Sequence, residues 1–148
     1  MIPFSSTTTI GRPAAEIWAT AADLGRHPEW MAISSSVVVR GDGASKGSLA
    51  RQTVRIGPLS LRYDVEVADS EPGRRIGWRT VGRGSVHADA RLELEALSDD
   101  VTRVTWVGEM GLRGPLRLLE PLIAAEAKAS EAGELERLRA MLEQPQTG

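Results

Sequence analysis

Apolar and polar side chains alternate over much of this chain, and the period of two recurs in several separate stretches. The clearest case sets Leu59, Leu61, Tyr63, Val65 and Val67 against Ser60, Arg62, Asp64 and Glu66, which predicts a strand with one face in a core and one in water. Val86, Ala88, Ala90, Leu92 and Leu94 alternate in the same way with His87, Asp89, Arg91, Glu93 and Glu95, so His87 is expected on the outer face. Val104, Trp106, Gly108, Met110 and Leu112 share a third inward row, and Ile76 with Trp78 a fourth. Gln52 falls in line with Val54 and Ile56, so it either points its amide into the apolar side or is returned to solvent by a one-residue bulge.

The breaks between these rows are turn residues: Gly41-Asp42-Gly43, Gly57-Pro58, Glu71-Pro72-Gly73, Gly82-Arg83-Gly84 and Ser98-Asp99-Asp100. Five such breaks from Ser36 onward separate six strands, and connections this short join neighbours antiparallel. A further strand is expected over Phe4 to Ile10, rich in Thr and Ser, before Gly11-Arg12-Pro13 interrupts it. Ala14 to Ala22 then reads as a short helix started by Pro13 and anchored by Ile17 and Trp18. A second short helical stretch, Leu24 to Met31, is interrupted by Pro28, giving a V-shaped pair. At the other end, Leu116 to Leu142 carries Leu116, Leu119, Ile123, Ala127, Leu135, Leu138 and Leu142 among many charges, which predicts one long amphipathic helix. Pro121 and Gly133 are its weak points, so a kink or a short leading turn is expected.

These elements add up to a single α+β domain over residues 1–148: a seven-stranded curved antiparallel sheet, two short helices and a long C-terminal helix laid across the apolar face. A straight helix cannot fill a strongly curved sheet, and small residues at Ala88, Ala90 and Gly108 on the sheet and Ala124, Ala127 and Ser130 on the helix would enlarge the gap. Ligand cavities of this kind are apolar and on the order of 300 to 1,000 Å³. The same small residues serve equally well to let helix and sheet pack closely.

Composition narrows the chemistry. With 18 Lys plus Arg against 20 Asp plus Glu, the net charge of -2 provides no field that would gather phosphate, so nucleic acid is not an expected partner. No cysteine is present, which fits a cytoplasmic address and removes thiolate chemistry. His27 and His87 have no second ligand at metal spacing, so neither a metal nor a cofactor is expected. Met1 to Ile10 lacks the basic start and apolar run of a secretory signal, and no segment approaches the length of a membrane span. The expected partner is a small hydrophobic molecule bound by a monomer or homodimer.

Five features stand out along the chain: IGRPAAEIW at Ile10 to Trp18, DLGRHPEW at Asp23 to Trp30, Gly47, EPGRRIGW at Glu71 to Trp78, and Thr102-Arg103-Val104 before the long helix. Together they resemble the START/Bet v 1-like (SRPBCC) superfamily, and within it the polyketide cyclase/dehydrase and lipid-transport group. The resemblance covers nearly the whole chain and implies a helix-grip fold with a ligand tunnel between sheet and C-terminal helix. It implies no single activity, because such folds serve lipid or hormone carriers, polyketide aromatase/cyclases and protein partners alike.

The residues expected to line a cavity are Trp30, Gln52, Val54, Tyr63, Val65, Trp78, Ala88, Ala90, Trp106, Met110, Leu119, Ile123 and Ala127. Trp30 is either a wall at the mouth or a pin between the short helices and the sheet. Trp78 and Trp106 either clamp a ring or simply fill core. Tyr63, His27 and Gln52 are the weak catalytic candidates: a phenol able to orient a carbonyl, an imidazole that titrates near neutrality, and an amide that reads a polar group. No carboxylate or nucleophile accompanies His27 in the sequence. Binding or carriage of a lipid, fatty acyl chain, isoprenoid or aromatic polyketide is therefore the first expectation. A cyclase or dehydratase is the second, and an interaction module with a closed interior the third.

Overall fold

The computed structural model describes residues 2–56, 58–82 and 84–143; the side chains of residue 56 and of residues 122–132 lie outside the description. Seven strands form one antiparallel sheet: β1 (Ile2–Ile10), β2 (Ser35–Arg40), β3 (Leu49–Ile56), β4 (Leu59–Glu71), β5 (Arg75–Val81), β6 (Val86–Ser98) and β7 (Val101–Leu112). Strands β2 to β7 run as the expected meander, and β1 closes the other edge against β7, in the order β1-β7-β6-β5-β4-β3-β2. The ladder slips by one residue at Val38/Arg40, Val67/Asp69 and Ala96/Ser98, and such bulges add the bend that turns the sheet into a grip.

The helices follow the sequence expectation with two adjustments. Helix α1 (Ala14–Ala21) starts on Pro13, whose carbonyl accepts from the N–H groups of Glu16 and Ile17. The Leu24 to Met31 stretch is divided one residue earlier than Pro28: a 3₁₀ turn, Leu24–Arg26, is capped by the Asp23 carboxylate on the Gly25 N–H, and α2 (His27–Trp30) carries Pro28 in its first turn. There the missing N–H costs nothing, so Pro28 opens a helix instead of interrupting one. The long helix is likewise split. Gly114–Leu119 forms a leading 3₁₀ segment and α3 (Glu120–Glu143) follows, with helical backbone continuing through Gly133.

Helix α3 lies on the apolar face with Leu135 and Leu138 fully buried. Three of its carboxylates tie it down: Glu134 accepts from the Ala32 N–H at 3.1 Å, Glu136 accepts from the Thr8 hydroxyl at 3.4 Å, and Glu143 accepts from the Gly11 N–H at 2.7 Å. The last contact holds the Glu143 carboxyl below its ordinary pKa. Helix α1 is fixed by Ile17 and Ala21 in the core and by the Trp18 indole N–H, which donates to the Arg75 carbonyl at 3.1 Å.

Register brings the inward rows together across the sheet. Phe4 stands opposite Gly108, Gly108 opposite Ala90, Ala90 opposite Trp78, and Trp78 opposite Val67. Gly108 does not enlarge a cavity as its size suggested. A Cβ there would sit 2.2 Å from the Asp89 carbonyl oxygen, 2.7 Å from the Ala90 Cα and 2.9 Å from the Phe4 ring, so the bare backbone is what lets the Phe4 ring lie over it and reach Trp106. Overpacking of a site bounded by backbone costs on the order of 1 to 3 kcal/mol. Gly108→Ala is therefore expected to lower the melting temperature by several degrees. An unchanged melting temperature would show that β6 and β7 part freely at this point.

Candidate functional site

The inward rows converge on a partly open cavity of about 120 Å³ under α3, walled by Phe4, Tyr63, Val65, Trp78, Ala88, Ala90, Trp106 and Met110 from the sheet. Met31 after α2, His27 on α2, Gln52 and Thr80 on β3 and β5, and Glu134 on α3 complete the lining. Ala88 and Ala90 contribute space here, as their small size suggested. At this volume the cavity admits one ring or a short chain: an apolar protein cavity of about 150 Å³ holds a benzene. It falls well below the several hundred Å³ expected from sequence.

Of the sequence-derived lining residues, Gln52, Tyr63, Val65, Trp78, Ala88, Ala90, Trp106 and Met110 meet at this cavity. Trp30 is fully buried behind it, in edge contact with His27 and Trp106. Val54 and Leu119 pack in a neighbouring cluster around Val86 and Leu112, away from the cavity wall. Ile123 and Ala127, with Ala124 and Ser130, lie outside the described side chains. Phe4, Met31, Thr80 and Glu134 line the cavity without having been singled out from sequence.

Five rings are in contact here, those of Phe4, His27, Trp78 and Trp106 in the wall and that of Trp30 behind it. Centroid separations are 5.4 Å for Phe4 and Trp106, 5.5 Å for Trp30 and Trp106, 5.8 Å for Trp78 and Trp106, and 4.6 Å for His27 and Trp78, mostly edge to face. That geometry suits the opposed charge of ring edges and faces. Trp78 and Trp106 fill core, each more than 95 % buried, and each also presents surface to the cavity.

The polar end of the site is the pair His27 and Gln52. The side chain of Gln52 points inward, 3 % exposed, and no bulge displaces it. Its amide donates to His27 Nδ1 at 3.1 Å and to Ser36 Oγ at 3.0 Å, which places the imidazole proton on Nε2. His27 is buried in the aromatic cluster and not at a solvated entrance, and burial pushes its pKa down to about 3; the nearby Ala21 carbonyl offsets this only in part. The imidazole is neutral at physiological pH, with its one lone pair already engaged. Tyr63, opposite Gln52 in the ladder, has its pKa pushed up, first by burial and then by the neighbouring Glu134 carboxylate. Neither group is tuned toward proton transfer near neutrality.

His87 is half-buried, its ring 3.5 Å from the Thr80 hydroxyl, and stands outside the cavity. Glu66 is on the outer face as expected, paired across strands with Arg79 at 3.4 Å. Among the described residues, no cluster of three or more His, Cys, Asp or Glu side chains could hold a metal, and no helix is long and apolar enough to cross a membrane.

The buried His27 sets a pH dependence. Its folded pKa of about 3 lies below the ordinary 6.5, so between those values the unfolded chain binds the proton that the folded chain refuses. Stability is full above about pH 6.5 and is lost as pH falls toward 3, by about 1.4 kcal/mol per pH unit for this one proton. Thermal melts of wild type and His27→Phe from pH 7 to 4 should diverge in slope by about one proton, with the variant less sensitive to acid. Parallel slopes would mean that His27 ionises in place.

Set beside known proteins, the chain matches folds of one kind. The Zhui aromatase/cyclase from Streptomyces sp. R1128 superposes with a TM-score of 0.77 at 16% identity, covering 95% of this chain and 93% of that one. A START superfamily protein from Mycobacterium smegmatis gives 0.76 at 18% identity, with 96% and 97% covered. The protein DR_A0006 from Deinococcus radiodurans gives 0.65 at 24% identity, with 92% and 99% covered. At these identities the likeness is one of fold. No curated protein matches the chain. The profile of the family described as polyketide cyclase / dehydrase and lipid transport matches residues 1–143, and the chain belongs to that family.

Proposed function

We propose that this protein binds a small hydrophobic molecule in the cavity between the sheet and α3, as a carrier or sensor and not as a catalyst. The observation that supports this reading is the cavity itself: about 120 Å³ of space walled by Trp78, Trp106, Tyr63, Val65 and the two small residues Ala88 and Ala90. A filled core would place larger side chains at the last two positions, since interiors pack closely wherever nothing keeps them open. Membership of a family whose description includes lipid transport agrees with it.

Size bounds the ligand and its affinity. A one-ring compound giving up about 200 Å² of apolar surface gains about 5 kcal/mol at about 25 cal/mol per Å², before the costs of association. Shape and burial alone therefore give dissociation constants near the millimolar range. A long acyl chain or a multi-ring polyketide needs α3 to move outward.

The cyclase reading draws support from the family description and from the Zhui fold, but from nothing in the chemistry of this cavity. Its acid and base would have to be His27 and Tyr63. Burial drives the first to a low pKa and the second to a high one, and Gln52 occupies the free lone pair of the imidazole.

The test is a titration with isopropylbenzene followed by tryptophan fluorescence, since Trp78 and Trp106 form two of the walls. Saturable quenching or a blue shift with a dissociation constant near or below a millimolar is expected in wild type. Ala88→Leu should weaken it at least tenfold while leaving the melting temperature within a few degrees. No saturable change in wild type would remove the binding reading and favour a protein whose interior is closed.

A further inference from the structure

Most arginines on the outer face of the sheet are neutralised where they stand. Asp64 pairs with Arg51, Glu66 with Arg79, Glu93 with Arg91 and Glu95 with Arg103. Four arginines depart from this pattern, and they gather at one end of the molecule. Among the described residues, Arg55, Arg62, Arg113 and Arg117 meet no carboxylate, and all four are exposed. Arg137 shares that condition but stands by itself, toward the far end of α3.

Register brings the four together. Arg55 and Arg62 point outward from β3 and β4 beside their hairpin, opposite Ser60 and Thr53. The Arg62 backbone abuts the link between β5 and β6, where a Cβ on Gly84 would lie 3.7 Å from the Arg62 carbonyl oxygen. Arg113 reaches the same link: its backbone N–H donates to the Ser85 carbonyl at 2.8 Å and its guanidinium to the Gly82 carbonyl at 3.2 Å. The Gly114–Leu119 segment follows directly and carries Arg117 and Leu118.

Leu118 is 85 % exposed, more than any other large hydrophobic side chain among the described residues. Its neighbours Leu116 and Leu119 pack inward on Val86 and Leu112, in a cluster that shares Tyr63 with the cavity wall. Two leucines thus anchor the segment and the third projects from it. Glu120 is also at this end, where it accepts from the Leu112 N–H at 2.9 Å. At the opposite end Asp99 and Asp100 occupy the turn between β6 and β7. The net charge of -2 therefore conceals unequal ends, and at contact only charges within about 10 Å count.

We propose that this end of the sheet docks peripherally on an anionic lipid bilayer, with Leu118 in the headgroup layer and Arg55, Arg62, Arg113 and Arg117 against lipid phosphates. Exposed apolar side chains and unpaired cations together are what such a surface rewards. A protein partner would need a hollow shaped to the projecting leucine. A fluid bilayer accepts it without one, and its phosphates lie in a plane that guanidinium groups from three separate stretches of chain can meet at once. The docking stands apart from the cavity reading, because none of these five side chains lines the cavity.

Vesicle flotation with the whole chain tests this. Wild type should float with phosphatidylcholine vesicles containing about a third phosphatidylglycerol, not with phosphatidylcholine alone, and should be released at about 0.5 M salt. Each basic residue near such a surface strengthens binding about fivefold, so Arg55→Gln with Arg62→Gln should weaken it by about tenfold or more. Leu118→Ser should weaken it by about tenfold, and Arg91→Gln with Arg103→Gln should leave it unchanged. All of these side chains are exposed, so melting temperatures and isopropylbenzene binding should match wild type. No flotation of wild type, or equal losses in the Arg55/Arg62 and Arg91/Arg103 variants, overturns the inference and leaves the cavity reading untouched. Binding to polyglutamate that survives Leu118→Ser, without flotation, overturns it in favour of an acidic protein partner.

Discussion

The hydrogen bond from Gln52 to His27 is the contact on which this interior depends. It joins α2, which arrives from outside the sheet, to β3, and it does so at full burial among indole rings. An amide and an imidazole hidden from water are each costly alone, and together they satisfy each other at Nδ1, with Ser36 Oγ taking the second amide proton. The consequence is positional. His27 held there sets its ring edge to face on Trp78 and against Trp30, and those rings fix Trp106 and Phe4 in turn. Burial keeps the imidazole neutral, and Gln52 engages its acceptor nitrogen.

Curvature explains why such a cluster is needed. The bulges in β2, β4 and β6 bend the sheet away from α3, and the widening gap must be filled by large side chains or left open. Tryptophan is the largest filler available, and three of the four meet in this gap. They fill part of it. Where the row passes from Trp78 to Ala90, and alongside it at Ala88, the side chains shrink and the cavity opens. Gly108, next in the same row, keeps its space for the Phe4 ring.

Much of this was legible in the sequence because the strand period of two is unambiguous and the turn residues are well spaced. The six-strand meander and the inward rows follow from alternation and the turn residues together, whereas for Gln52 alternation left a bulge open and the unbroken β3–β4 ladder decides that it points inward. The helix-grip architecture is carried further by the stretches around DLGRHPEW and EPGRRIGW. What alternation does not supply is register between distant strands. Phe4 belongs to the cavity only because β1 pairs with β7, about a hundred residues away, and nothing local in β1 announces it. Glu134 left a fainter signal. It stands four residues before the buried Leu138 and so shares the stripe that faces the sheet, a position where a carboxylate is unexpected. His27 gave no sign of burial, since Arg26 and Pro28 on either side suggest a surface turn.

Burial has opposite effects on the two groups in this cavity that a catalyst would need. It drives histidine toward the base and tyrosine toward the acid, because in each case the neutral form is the one a low-dielectric site retains. Proton transfer requires groups poised near the working pH, and a phenolate on Tyr63 would need a counter-charge that the described lining does not offer. A family fold that does chemistry elsewhere would have to bring a buried cation or an ordered water chain to this place. Enclosure therefore keeps the two candidate groups in the neutral forms that a low-dielectric site retains, and acid–base chemistry in this cavity would have to rest on groups other than these two.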